Sequence, residues 1–249
     1  MSAVPVSAFL ALWNSISPAH QAEYEIWHSM EHVPERTSLP GFVEARRYRS
    51  LAAPLHYFTW YGVAALTAFE TGGYQNLLSH PTPWSARMRP HLGDFLRLPC
   101  GLAGQLGSST GAYLAVGVWD TQPQALPRLE QVLRQPREHQ GVTAVQWGQV
   151  ADMGAYPVAV LGQQASNAAS THGPACRMVV LLQGIAPDPL THSMAGLQRA
   201  VEPFSQPVRL PEVYALQNLT RQRDLSPIPG QRPPPRHDLF NAFQQGDSL

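Results

Sequence analysis

Two stretches of this 249-residue chain spell nearly the same pattern about 100 residues apart. Ala112-Tyr113-Leu114-Ala115-Val116 echoes Ala8-Phe9-Leu10-Ala11-Leu12, and the run Gly141-Val142-Thr143-Ala144-Val145-Gln146-Trp147 echoes Gly41-Phe42-Val43-Glu44-Ala45-Arg46-Arg47. Between the paired echoes the second copy is about four residues shorter, roughly one helical turn. Such spacing signals internal duplication and restricts the chain to folds made of two similar units.

Each copy reads as the ferredoxin-like split unit, β-α-β-β-α-β. In the first, Ser7–Trp13 is a short apolar strand ended by Asn14 and Ser15. Ser17 and Pro18 open a helix as cap and first helical position. Ala22, Ile26, Met30 and Val33 form its apolar stripe, and Pro34 should kink or end it. Strands follow at 42–49 and 56–63, then a helix near Leu66–Leu78, a turn at Trp84 and a closing strand beginning at Phe95. The glycine-rich passage Gly101–Gly111 separates the units. In the second, Tyr156–Gly162 and Arg177–Leu182 read as strands, with a small-residue loop, Gln163–Gly173, between them. After Asp188-Pro189 comes a helix bearing Leu190, Met194, Leu197, Val201 and Phe204, and Val213–Leu216 closes the unit. The units span 1–108 and 109–220. Residues 221–249 are a tail in which Pro227, Pro229, Pro233, Pro234 and Pro235 forbid regular structure. That tail is either unstructured or docked through Leu239, Phe240 and Phe243.

Composition narrows the partners. Lys plus Arg equal Asp plus Glu at 17 each, so no global field recruits nucleic acid or anionic membrane. No run of roughly 18 apolar residues is present to span a bilayer, and the apolar N-terminal stretch reads as a strand rather than a signal peptide. Charged residues are only 14%, below the usual quarter, which points to a covered surface and a homo-oligomer. Cys100 and Cys176 form no disulfide framework and no metal spacing, which fits a cytoplasmic protein. The glycine runs lack a phosphate-loop lysine or a dinucleotide fingerprint, and no nucleophile elbow is present.

The chemistry is concentrated in Trp27-His28-Ser29-Met30-Glu31-His32-Val33-Pro34-Glu35-Arg36. Residues four apart share a helix face, which pairs His28 with His32 and Glu31 with Glu35. On an ideal wheel both histidines fall opposite the apolar stripe, as on a solvated face, but a bend at Pro34 re-aims His32. An imidazole there titrates near neutral pH and a neighbouring carboxylate tunes it. His28-x-x-Glu31-His32 also matches the inverted zincin order, yet no third ligand is evident, as zinc requires. Tyr48, Trp60 and Trp84 are candidates to hold a flat apolar ligand, or else core. Arg46, Arg47 and Arg49 alternate faces on a strand, one available to a ligand carboxylate or to salt bridges with Glu44, Glu31 or Glu35.

The motif Glu31-His32-Val33-Pro34-Glu35-Arg36, with Pro40-Gly41-Phe42, Ala45-Arg46-Arg47-Tyr48 and His80-Pro81-Thr82-Pro83-Trp84, resembles the dimeric α+β barrel superfamily, closest to the EthD-like proteins. The second half carries no matching motif; Arg137-Glu138-His139 is nearest. The resemblance implies an α+β fold of two tandem ferredoxin-like units whose sheets face each other, with a pocket between a sheet and its helices. That superfamily includes lactone isomerases, cofactor-free quinone-forming monooxygenases, haem-degrading monooxygenases and haem-dependent aldoxime dehydratases, so fold does not fix function.

These readings converge on a cofactor-independent acid/base enzyme of isomerase, lyase or dehydratase type acting on a small apolar, aromatic or lactone-like metabolite. His32 is its general acid/base, Glu31 orients or tunes it, and His28 and Arg36 assist. Tyr48, Trp60 and Trp84 hold the ligand, and no metal is needed. The alternatives are a monooxygenase, a haem enzyme with His56, His80, His172 or His192 as candidate ligand, and a non-catalytic binding or assembly protein.

Overall fold

The computed structural model describes residues 4–107, 109–134, 141–154, 175–225 and 231–246. The expected strand at 156–162, the loop to Gly173, His172 and the triplet 137–139 lie outside the described residues.

The first half runs β1 (Ala8–Ile16), α1 (Gln21–Trp27), a π turn (His28–His32), α2 (Val33–Thr37), β2 (Phe42–Ser50), β3 (His56–Val63), α3 (Gly72–Ser79), α4 (Pro83–Met88) and β4 (Leu92–Gly107). The second runs β5 (Tyr113–Thr121), α5 (Leu126–Arg134), β6 (Val142–Val150), β7 (Cys176–Gly184), α6 (Pro187–Val201) and β8 (Ser205–Arg221), with α7 (His237–Gly246) after it. The strands close an antiparallel barrel in the order β1-β3-β2-β8-β5-β7-β6-β4.

Two long strands make that closure possible within one chain. β4 pairs with β1 from Leu92 to Gly101 and with β6 from Cys100 to Gly107. β8 pairs with β5 over its first part and with β2 from Tyr214 to Arg221. Every described strand therefore has two neighbours, and among the described residues no unpaired edge is left to template association.

Side-chain alternation divides the core in two. Phe9, Ala11 and Trp13 of β1 enter the barrel interior with Phe58, Trp60, Leu98 and Val116. Ala8 and Leu10, with Leu12 beside them, point outward beneath the first set of helices, and Val145, Trp147, Val180 and Leu182 do the same beneath α5 and α6.

Three expectations are corrected. β1 does not stop at Asn14: that amide is buried and exchanges hydrogen bonds with the Tyr24 hydroxyl at 3.0 and 3.1 Å, so a polar residue continues the strand without an unsatisfied group. The glycines from Gly101 to Gly107 are not a passage between units but the second part of β4. A Cβ on Gly104 would lie 2.1 Å from the Trp147 ring, so glycine is there because an indole crosses the strand. The tail is not without regular structure: it carries a helix, α7, and takes the docked one of its two alternatives, with Leu239, Phe240 and Phe243 packed on the cluster around Trp27, Trp84 and Met88.

Candidate functional site

Proline at position 34 cannot donate to the carbonyl four residues back, and its ring crowds that carbonyl. The chain absorbs this without ending the helix: the Val33 N–H bonds to the His28 carbonyl in a π turn, and helix continues to Thr37. A π turn winds less per residue than an α turn, so residues four apart come almost into eclipse. His28 and His32 accordingly stack, ring centroids 4.9 Å apart and 24° between planes.

The wheel expectation is overturned along the same segment. Ile26 and Met30 are 39% and 47% exposed, while His28 is 3%. Two four-residue series are turned inward instead. Glu23, Trp27, Glu31 and Glu35 face α4 and the tail, and Tyr24, His28, His32 and Arg36 face the sheet. The carboxylates tolerate burial because each has donors. Glu23 accepts from Trp84 Nε1 at 2.8 Å, and Glu31 accepts from Thr82 Oγ1 at 2.6 Å and the Arg236 N–H at 2.8 Å. Glu35 pairs with Arg232.

The sheet-facing series closes over a cavity of about 30 Å³, room for one or two water molecules. His28, His32, Arg36, Arg89 and Asn14 supply its polar lining, and Leu10, Leu12, Phe42, Tyr61, Tyr74 and Phe95 belong to its apolar wall. Both Nδ1 atoms are buried without a hydrogen-bond partner among the described residues. Trp27 packs against His32 with its ring tilted by 58°, at 4.3 Å between ring centroids.

Burial sets the protonation state. Desolvation holds the His28 ring well below the ordinary imidazole value, and the Arg47 and Arg36 guanidinium groups push it further down. Desolvation does the same to His32, reinforced by Arg36, His28 and Arg89. Both rings are therefore neutral at pH 7, and the charges closest to them are positive. Neutral rings of this kind can accept a proton, and guanidinium groups beside them can stabilise an anion.

Of the residues singled out from sequence, the structure brings together His28, His32 and Arg36. It separates the others. Glu31 lies on the adjacent helix face, held by Thr82 and Arg236, so the tuning of His32 comes from burial, reinforced by arginines, rather than from a carboxylate. Tyr48 and Trp60 point into the barrel, on the opposite face of the sheet, because their positions in β2 and β3 are out of phase with the outward-facing Arg47 and Tyr61. Trp84 packs on Trp27, Phe240 and Phe243 and does not reach the cavity. Of the basic run, Arg46 pairs with Glu44, whereas Arg47 is fully buried against Glu25 at 2.6 Å and over Tyr24 and Tyr57.

Asn14, Arg89 and the apolar wall were missed. Arg89 arrives from the far end of the unit, beyond α4, and only tertiary closure sets it beside the histidines. Among the described residues no group of three His, Cys, Asp or Glu side chains is placed to hold a metal ion; Glu31 points away from both imidazoles. Among the described residues the candidate haem ligands stand away from this cavity, which is itself far smaller than a macrocycle: His80 and His192 are surface residues, and His56 sits at the surface opposite Asp94.

The fold is that of a dimeric α+β barrel of ferredoxin-like units, with the barrel closed here within one chain. No family model and no curated protein sequence matches the chain; likeness is found in three dimensions. An anthrone oxidase-like protein superposes with a TM-score of 0.60 at 9% identity, over 89% of this chain and 96% of that one. A Lactobacillus acidophilus protein provisionally assigned as a monooxygenase gives 0.54 at 6% identity, over 87% and 97%. A dye-decolorizing peroxidase from Bacteroides thetaiotaomicron gives 0.52 at 7% identity, over 88% and 94%. At these identities the likeness is one of fold. No described helix is long and apolar enough to cross a membrane.

Proposed function

We propose that the cavity under the π turn is the active site of an enzyme that removes a proton from a small apolar, aromatic or lactone-like metabolite. One observation carries this reading: two stacked, neutral imidazoles, neither hydrogen-bonded by its Nδ1, lie beside two arginines in an enclosed space. His32, which keeps some solvent contact, is the base. The proton passes from an acidic C–H or O–H of the substrate to the His32 ring. The electron pair stays on the substrate as an enolate or phenolate, and Arg36 and Arg89 stabilise that anion. The neighbouring His28 and the arginines disfavour a lasting imidazolium, so the proton is returned readily, to the same or another carbon. Return at another carbon is isomerisation; loss of a leaving group from the anion is lyase or dehydratase chemistry. A cavity this small admits such a substrate only if wall side chains move, and the half-buried His32 edge is the natural entry.

A second reading is supported by two of the structural neighbours, described as anthrone oxidase-like and as a monooxygenase. The same anion, formed in air, is the electron-rich species with which dioxygen reacts.

The test is hydrogen–deuterium exchange, followed by NMR in D2O, at the acidic positions of anthrone, substituted phenols and unsaturated lactones. The protein accelerates exchange of at least one class, and His32→Ala loses roughly 10²–10⁴ of that rate. Oxygen uptake with the same compound separates the second reading from the first. Unchanged exchange in His32→Ala removes the catalytic assignment.

A further inference from the structure

The barrel interior holds another cavity, of about 230 Å³, on the opposite face of the sheet from His32. At ~30 Å³ per water molecule it has room for a ligand the size of seven or eight waters. It lies at the mouth where β1, β2 and β6 begin and β3 and β7 end. The middle of the interior is a cluster of buried apolar side chains, but this end is lined by Glu44, Arg46, Gln105, Gln146, Gln183 and Trp60.

The amides can be oriented by elimination. A backbone carbonyl only accepts, so the Gly107 carbonyl fixes the Gln105 side chain with its NH2 toward it, at 3.2 Å. Gln105 Oε1 then accepts from Gln146 Nε2 at 3.4 Å, which leaves the Gln146 oxygen as an open acceptor. A backbone N–H only donates, so Gly111 fixes Gln183 with its oxygen toward it, at 3.0 Å, and leaves the Gln183 NH2 as an open donor. Ala144 stands opposite Gln183 and Gln146 opposite Leu181, so the two glutamines are diagonal neighbours on one face, within reach of one small molecule. Gln146 and Gln183 are 7% and 6% exposed. Trp60 adds an indole N–H that is buried and has no partner among the described residues.

Charge is largely cancelled. The Arg46 guanidinium donates to Glu44 at 2.9 Å through Nε and lies 4.7 Å over the Trp60 ring, so the pair presents little net charge to a ligand.

We propose that this barrel mouth binds a small neutral amide or lactam, whose N–H donates to Gln146 and whose carbonyl accepts from Gln183. This assignment is independent of the chemistry at His32. Three probes test it on the ¹⁵N-labelled full chain: nicotinamide, 2-pyrrolidone and, as the charged counterpart, nicotinate. The Trp60 indole and Gln183 side-chain resonances shift saturably with a neutral amide, and nicotinate binds at least tenfold more weakly. Gln146→Leu weakens binding by tenfold or more. Ala144→Leu, which fills the cavity and leaves every hydrogen bond in place, abolishes it and serves as the second variant where Gln146→Leu does not fold. The proposal is overturned by any of three results: no saturable shift with either neutral probe, tighter binding of nicotinate, or full affinity in Ala144→Leu.

Discussion

The two halves share a strand order and differ in what occupies the space between sheet and helices. Under α5 and α6 the filling is apolar: Leu129, Leu133, Trp147, Met178, Leu190, Met194 and Leu197 are buried together. Under the first half the helix brings His28, Glu31, Glu35 and Arg36 inward and meets Arg47 and Asn14 from the sheet. One topology thus supports either a close-packed interior or a small electrostatic chamber, and the choice is made by which side chains face the sheet. Polar groups at such depth stabilise nothing by themselves; each needs a partner. Much of the first half's hydrogen bonding provides one, and the stacked pair of rings whose Nδ1 atoms lack a partner among the described residues is the candidate site.

Deleting the largest filler of the second half gives the biggest effect. Trp147→Ala removes a fully buried indole and leaves a cavity behind, at a cost of about 3–5 kcal/mol in chemical denaturation. A loss under about 1 kcal/mol contradicts the description of that half as close-packed.

Acid tests the first half. Both imidazoles titrate below the ordinary value of about 6.5 in the folded protein, so as pH falls the unfolded chain takes up these protons first. Stability is intact above about 6.5 and declines below it, by about 1.4 kcal/mol per pH unit for each ring until the folded rings protonate in turn. Urea midpoints measured from pH 7 to 5 show this slope, and His28→Leu with His32→Leu flattens it. An equal slope in the double variant assigns the acid sensitivity elsewhere.

The smallest effect comes from the tail. Phe240 is only half-buried against Trp84, so Phe240→Ala costs about 1–2 kcal/mol, with transfer of the partly buried ring as its main component. Losing nothing would leave the tail's packing energetically idle.

The duplicated strands and their alternating order were legible in the sequence, because period-two patterning and the echoes at Gly41 and Gly141 are local properties. The helix face was not. Counting Ala22, Ile26 and Met30 as the buried stripe ignores that Tyr24 and Trp27 bury more apolar area, and that donors arriving from Trp84, Thr82 and Arg236 make carboxylate burial acceptable. Those donors lie about 50 to 200 positions away in the chain. The pairing of His28 with His32 was visible as spacing. Their stacking depended on a π turn, and Arg89 on closure of the whole unit. Tyr48 and Trp60 took the core alternative that the sequence had left open: each stands on the barrel-facing side of its strand, next to the outward-facing Arg47 and Tyr61.

A barrel assembled from two identical subunits carries each substitution twice, so a change that helps one copy of a pocket is forced on the other. Here β4 and β8 tie both halves into one polypeptide, and that obligation is gone. One side is free to keep reactive groups and tolerate their instability while its counterpart supplies the compensating rigidity.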